Sequence, residues 1–236
     1  MTNELQKRIS HAENFSTDLV HEIRNPLTSL KSASEILHET ENQEQRGKLI
    51  DILNHDVQRI ERLITDYSQM LKDEVALSKE KMKRINLKLI ISSVVDDFNS
   101  IYEAKRGIQI ILKDVNNQED FFIYGIENRI EQIIANLLDN SISFSDNNKK
   151  ILVEVSKNEE EKIILKVIDE GKGFKETSTK KIFDRFYSNR PDNFGEHSGL
   201  GLNIVKNLVD LHGATIKASN NIIQKGANVE IIFPKA

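Results

Sequence analysis

The chain has 236 residues, 38% of them hydrophobic and 30% charged, with a formal net charge of -4. That composition allows a buried core in one or two domains and excludes a wholly disordered chain, and it offers no basic field for nucleic acid to grip. Cysteine is absent, which removes disulfides and thiolate metal sites and fits a reducing compartment. No apolar run reaches the ~18 to 20 residues that span a bilayer, and Met1-Thr2-Asn3-Glu4 lacks signal-peptide character. The chain as given therefore reads as soluble and cytoplasmic.

The N-terminal third reads as helical. At about 100° per residue, Phe15, Leu19, Ile23, Leu27 and Leu30 share one stripe, which is expected to be buried. His21 falls opposite that stripe and is expected to face solvent. A solvent-facing histidine usually means nothing, but its neighbours here carry chemistry. Glu22 can orient or deprotonate an imidazole, Arg24 adds a cation, and Asn25 lies one turn on, on the face of His21. Pro26 has no N–H to give the carbonyl of Glu22, so a bend is expected one turn after the histidine.

Glu39 to Arg46 contains no apolar residue and reads as a helix-helix connection. Beyond it Leu49, Ile52, Leu53, Val57, Ile60, Leu63, Ile64, Tyr67, Met70 and Leu71 keep a 3-4 spacing along a second long helix. Two helices cannot enclose their own apolar stripes. Pairing of two copies into a four-helix bundle is the expected solution, so the chain is predicted to be a homodimer.

Asp73 to Lys83 is a charged linker candidate. From about Lys83, β-rich runs (Ile108 to Leu112, Phe121 to Tyr124, Ile151 to Val155, Ile163 to Ile168, Ala214 to Ala218, Val229 to Phe233) alternate with helical ones (Leu87 to Lys105, Ile126 to Phe144, Leu200 to His212). The expected fold class is α+β: a helical hairpin followed by an α/β sandwich with helices over one face of a mixed sheet. The expected division is 1–12 as the end of an incoming helix, 13–73 as the hairpin, 74–83 as linker and 84–236 as the second domain.

In that second part no G-x-x-x-x-G-K-[ST] motif occurs, so a nucleotide would need another cradle. Asn136 and Asn140 project side by side at i and i+4, and two uncharged carbonyl oxygens suit a partly hydrated Mg²⁺, although two asparagines alone are more often a solvated face. Asp169-Glu170-Gly171-Lys172-Gly173-Phe174 ends a strand with a carboxylate able to accept from an exocyclic amine, followed by glycines that permit close backbone approach. Ser198-Gly199-Leu200-Gly201-Leu202 precedes an apolar-periodic helix whose N-terminal N–H groups can receive phosphate. Each motif alone is weak or moderate, because D-x-G-x-G is also a common turn.

Together the segments carry a resemblance. Phe15-Ser16-Thr17-Asp18-Leu19-Val20-His21-Glu22-Ile23-Arg24-Asn25-Pro26-Leu27-Thr28 looks like the H-box of sensor histidine kinases. Glu131 to Ser141, D-x-G-x-G, Ile182-Phe183-Asp184-Arg185-Phe186-Tyr187 and G-L-G-L are similar, in order, to the N, G1, F and G2 boxes of the Bergerat-type ATPase fold. The resemblance covers nearly all of the chain from about residue 11. It implies ATP as phosphoryl donor, His21 as phosphoacceptor with Glu22 balancing its proton, and Asn25 positioning water to dephosphorylate a partner. It further implies Asp169, Gly171 and Gly173 at the adenine, Asn136 and Asn140 acting through Mg²⁺, and Gly199, Leu200 and Gly201 on the phosphates. Residues between Gly173 and Gly199 would form a flexible lid, with Phe183 and Phe186 as anchors and Arg185 able to contact phosphate or the hairpin. The implied partner is the receiver domain of a response regulator, and full-length relatives are usually anchored in the inner membrane through a sensor region that this sequence lacks.

The sequence departs from the family pattern at His197, where glycine is frequent, at Ser143, where a lysine is frequent, and at Ala214, where His-Gly-Gly is common. Phe144-Ser145, Arg185 to Pro191 and the Ser-Gly-Leu-Gly-Leu run look most like envelope-stress sensor kinases of alphaproteobacteria. Two other readings stay open here: a scaffold or phosphatase-biased module that binds ATP poorly, motivated by the three departures, and a chaperone or mismatch-repair ATPase of the same fold, which would lack the His21 segment.

Overall fold

The computed structural model describes residues 2–77, 80–115, 121–175, 179, 181–187, 199–221 and 225–236. It resolves into two compact units, one built from the N-terminal helices up to Glu74 and the other from Val75 onward.

The first unit is a hairpin of α1 (Thr2–Glu39) and α2 (Gln43–Leu77). The connection is shorter than the polar stretch suggests, because most of its residues fold into the helix ends. Asn42 caps α2, its Oδ1 accepting from the N–H groups of Glu44 (2.9 Å) and Gln45 (3.2 Å). Arg46 turns back and donates to the carbonyls of Leu37 and Thr40, at 3.0 and 2.9 Å, closing the end of α1. Helix α1 runs on with Pro26 inside it.

The seam between the helices sits one residue round from the expected stripe. Pro26 and Ala33 on α1 and Asp56 and Leu63 on α2 are buried, whereas Leu19, Ile23, Leu30, Leu49, Leu53, Ile60 and Tyr67 are half-buried. Leu27, expected inside, is exposed, as are Ile52, Val57 and Ile64. The reason is geometric: an apolar stripe wider than about 100° cannot be covered by a single neighbouring helix. Phe15, Met70 and Leu71 lie outside the described side chains.

In the second unit the charged segment after Glu74 stays helical to Leu77, and the chain re-enters as β1 (Lys83–Asn86). Next come α3 (Leu87–Arg106), β2 (Gln109–Asp114), β3 (Phe122–Gly125), α4 (Glu127–Phe144), β4 (Lys150–Lys157) and β5 (Ile163–Asp169). A short 3₁₀ turn (Lys181–Phe183), α5 (Gly201–Leu211), β6 (Thr215–Asn220) and β7 (Ala227–Phe233) complete it. The main sheet has the order β2-β4-β5-β7-β6; β2 and β4 are parallel and the other pairs antiparallel. The strand expected over Phe121 to Tyr124 leaves that sheet and pairs with β1, placing Arg84 opposite Tyr124. Strand β1 was not legible, because Lys83 read as the end of the linker and the residues after it make no apolar run.

Alternation fixes which face of the sheet is covered. Ile151, Val153 and Val155 of β4, Leu165 and Val167 of β5, and Val229, Ile231 and Phe233 of β7 are buried in one core with Ile130, Ile133, Ile134, Leu137 and Leu138 of α4. The intervening residues of β4, β5 and β7 are half-exposed. Helix α4 packs against both α3 and α5, so the helix carrying the two asparagines is the centre of the layer. Among the described residues no helix is long and apolar enough to cross a membrane.

Candidate functional site

The hairpin presents the first candidate group. His21 is exposed, as its position opposite the apolar stripe requires, and Arg24 and Asn25 are exposed beside it. Pro26 is buried in the seam just after them. Among the described residues no hydrogen bond or ion pair engages His21, so both ring nitrogens remain available. Glu22 points away from solvent: its Oε2 accepts from Nη2 of Arg59 on α2 at 3.2 Å. That partner was missed in the sequence because 37 residues separate it from Glu22.

In the second unit β5 delivers Asp169 to the end of the sheet, where it is buried. Its Oδ1 accepts from the N–H groups of Gly171 (2.9 Å) and Ala227 (3.0 Å), and the Ser141 hydroxyl bonds the same carboxylate. Burial pushes the Asp169 pKa above the ordinary value, and these three donors oppose the rise. The glycine at 171 has a steric cause. A Cβ there would lie 2.5 Å from the carbonyl oxygen of Phe144 and 3.0 Å from Asp169 Oδ1.

Helix α4 supplies Asn136 and Asn140, both half-buried. Asn136 donates its Nδ2–H to the Gln132 carbonyl at 2.8 Å, which leaves Oδ1 turned to the start of α5; a Cβ on Gly201 would stand 3.2 Å from it. Leu200 is fully buried and Gly199 has φ +72°. At Gly199 a Cβ would come 2.6 Å from the Phe186 backbone, so this glycine lets the segment after the 3₁₀ turn lie against the start of α5. Asn203 reinforces that contact by donating to the Phe183 carbonyl at 2.9 Å. Phe183, Arg185 and Phe186 are half-buried, and the deepest anchor of the turn is Ile182. The first N–H groups of α5 have no side-chain cap. Most of the expected lid, with His197, lies outside the described residues.

Gly173 has φ +70°, and the turn it makes is clamped from β6. Asn220 accepts from the Phe174 N–H at 2.6 Å and donates to its carbonyl at 2.9 Å, imitating a strand pair. Ser143 is buried and donates to the Asp139 carbonyl at 2.6 Å, so it points along its own helix rather than serving where a lysine would. The buried His212 ties two ends together: Nε2 accepts from the Ile126 N–H at 3.1 Å, and Nδ1 lies 2.7 Å from the Leu208 carbonyl. Those partners require the neutral ring with its proton on Nδ1, and burial lowers its pKa. Ser141, His212 and Asn220 escaped the sequence reading because only the fold shows what they face.

Both parts of the chain match known families. The family model of the His Kinase A (phospho-acceptor) domain matches residues 12–75. That of the Histidine kinase-, DNA gyrase B-, and HSP90-like ATPase matches residues 125–236. The sensor protein ChvG of Rhizobium meliloti (strain 1021) is 36% identical over 226 residues, 93% of this chain and 39% of that protein. The chain spans about two fifths of the length of the curated relatives it matches. Among solved structures, the nucleotide-free catalytic domain of histidine kinase ThkA is 25% identical with a TM-score of 0.56, covering 66% of this chain and 98% of that one. The structure of ThkA in complex with the response regulator protein TrrA shares the fold over 98% of this chain and 64% of the ThkA chain, at 24% identity and a TM-score of 0.67.

Proposed function

The chain belongs to the sensor histidine kinases, and from that premise we propose that it moves the γ-phosphoryl group of ATP to His21 and on to an aspartate of a response regulator. The single observation that carries this reading is the pairing, in one chain, of a bare solvent-facing histidine with a second unit whose buried Asp169 is held ready at a strand end. In the reaction a neutral imidazole nitrogen attacks the γ-phosphorus; the N–P bond forms, the bond to the β-phosphate oxygen breaks, and ADP leaves. Glu22 takes up or balances the imidazole proton. The phosphoramidate is then attacked by a receiver carboxylate, which releases His21 unchanged.

Asp169 is proposed to accept the adenine amine, with Gly171 and Gly173 allowing the base to approach. Gly199, Leu200, Gly201 and the uncapped N–H groups of α5 would take the phosphates, and Arg185 would meet phosphate at the edge. Asn136 and Asn140 fit Mg²⁺, because their uncharged oxygens leave phosphate and water as its main ligands, and the bond its amide makes turns Asn136 Oδ1 to the start of α5, where the phosphates would lie. The ion would neutralise phosphate charge during transfer. Asn25, exposed beside His21, would position water in the reverse, dephosphorylating reaction on the partner.

The proposed division follows the sequence: 13–73 dimerises and carries phosphate, 74–83 links, and 84–236 binds nucleotide. Exposed Val20 and Leu27, and Ile50, Val57 and Ile64, each seven residues apart, support a second copy completing a four-helix bundle. Similarity to sensor proteins supports a cytoplasmic site of action, downstream of a membrane-borne sensor region.

Labelling with γ-radiolabelled ATP and Mg²⁺ tests the reading. Wild type is expected to take an acid-labile, base-stable label that is lost in His21→Gln and in Asn140→Asp. Recovery of label when the two variants are mixed would indicate transfer between subunits. A folded, unlabelled wild type would leave the scaffold or phosphatase-biased reading in its place.

A further inference from the structure

We propose that Arg59 is a positioning residue for phosphorylation of His21, acting through Glu22. The inference rests on His21 being the phosphoacceptor. One residue along a helix is a turn of about 100°, so His21 and Glu22 leave α1 in different directions: the imidazole faces solvent and the carboxylate turns to α2. There Arg59 Nη2 donates to Glu22 Oε2 at 3.2 Å, with the carboxylate side chain 27% exposed and the guanidinium side chain 42% exposed. Among the described residues no donor reaches Oε1. The two oxygens thus divide the work: Oε2 is fixed by a guanidinium that cannot be deprotonated, and Oε1 is left to receive the imidazole N–H as the other ring nitrogen attacks phosphorus.

A glutamate on a helix surface is otherwise free in several torsions, and fixing it at the moment of reaction costs rotamer entropy equivalent to about tenfold in rate. Arg59 meets that cost before ATP arrives. The pair contributes little to the fold itself, since a half-exposed ion pair adds almost nothing to stability. Its effect is therefore expected on the chemical step rather than on folding or nucleotide affinity.

The test uses the full chain with Mg-ATP, measuring initial rates of label incorporation against ATP concentration for wild type, Arg59→Ala, Arg59→Lys, Glu22→Gln and the Arg59→Ala/Glu22→Gln double variant. Arg59→Ala is expected to lower kcat about tenfold with KM for ATP and the unfolding midpoint unchanged. Arg59→Lys should recover most of the rate, and the double variant should be no slower than Glu22→Gln. A labelled wild type with an equally fast Arg59→Ala overturns this inference alone. So does a double variant in which the two losses multiply, or an Arg59→Ala whose loss lies in KM or in folding. An unlabelled wild type overturns the kinase reading and this inference with it.

Discussion

The α/β unit closes its core with its own residues, whereas the hairpin leaves several large apolar side chains exposed. Ile133, Ile134, Leu137 and Leu138 are at most 1% exposed, while Val20, Leu27, Ile36 and Ile64 are each at least half exposed. Two buried aspartates repeat the contrast. Asp169 takes two backbone N–H donors and the Ser141 hydroxyl, but Asp56, in the hairpin seam, has an Oδ2 without a hydrogen-bond partner among the described residues. On the proposed function, the first would hold nucleotide in a fixed frame, and the second would be completed by another copy and carry the reactive group on its exposed face.

The largest effect should come from breaking the incomplete side. Val57→Asp with Ile64→Asp places charge on the exposed heptad face, and each apolar side chain so removed from an interface costs about 1.5 to 3 kcal/mol, doubled by symmetry. Light scattering should show wild type at twice the 27.1 kDa of the single chain and the double variant at the single value. Nucleotide affinity should be the same in both. A monomeric wild type would remove the contrast.

Breaking the self-sufficient side should have a smaller but still large effect. Asp169→Asn presents a donor where an acceptor is needed, and losing a charge-assisted hydrogen bond costs about 2 to 3 kcal/mol, roughly 30- to 150-fold in Kd. Titration calorimetry should find that loss with the oligomeric state unchanged. Gly171→Ala should weaken binding by about tenfold, because its methyl group would push on Asp169 and the end of α4.

The smallest expected effect is on pH dependence. Burial lowers the His212 pKa in the folded state below the ordinary 6.5, so the unfolded chain binds the extra proton more readily. The stabilisation from the neutral ring is fully present above that ordinary value and is lost as pH falls toward the folded one. Thermal melts should therefore show the α/β unit losing stability below about pH 6.5, with a shallower slope in His212→Gln. A slope unchanged by the substitution would show that other groups govern the acid limb.

Much of the fold was legible because the two periods, 3.6 and 2, separate cleanly along this chain. The β-strands of the main sheet and all the long helices could be placed from apolar spacing alone, and His21 stood out because it breaks the pattern of its own helix. Leu27 was misplaced because periodicity gives the direction of a stripe but not how many neighbours cover it. Strand β1 was hidden by its charges, since a short edge pairing with β3 demands no apolar run. Arg59, Ser141, His212 and Asn220 were invisible for a different reason: each acts on a residue far away in sequence, and nothing local marks it.

The central claim, that the phosphoryl group lands on the exposed imidazole of the incomplete unit, is tested most directly by ³¹P NMR of the chain after reaction with Mg-ATP. A phosphoramidate resonance that is absent from His21→Gln is the predicted result. A phosphoester resonance, or a phosphoramidate that persists in His21→Gln, would contradict it.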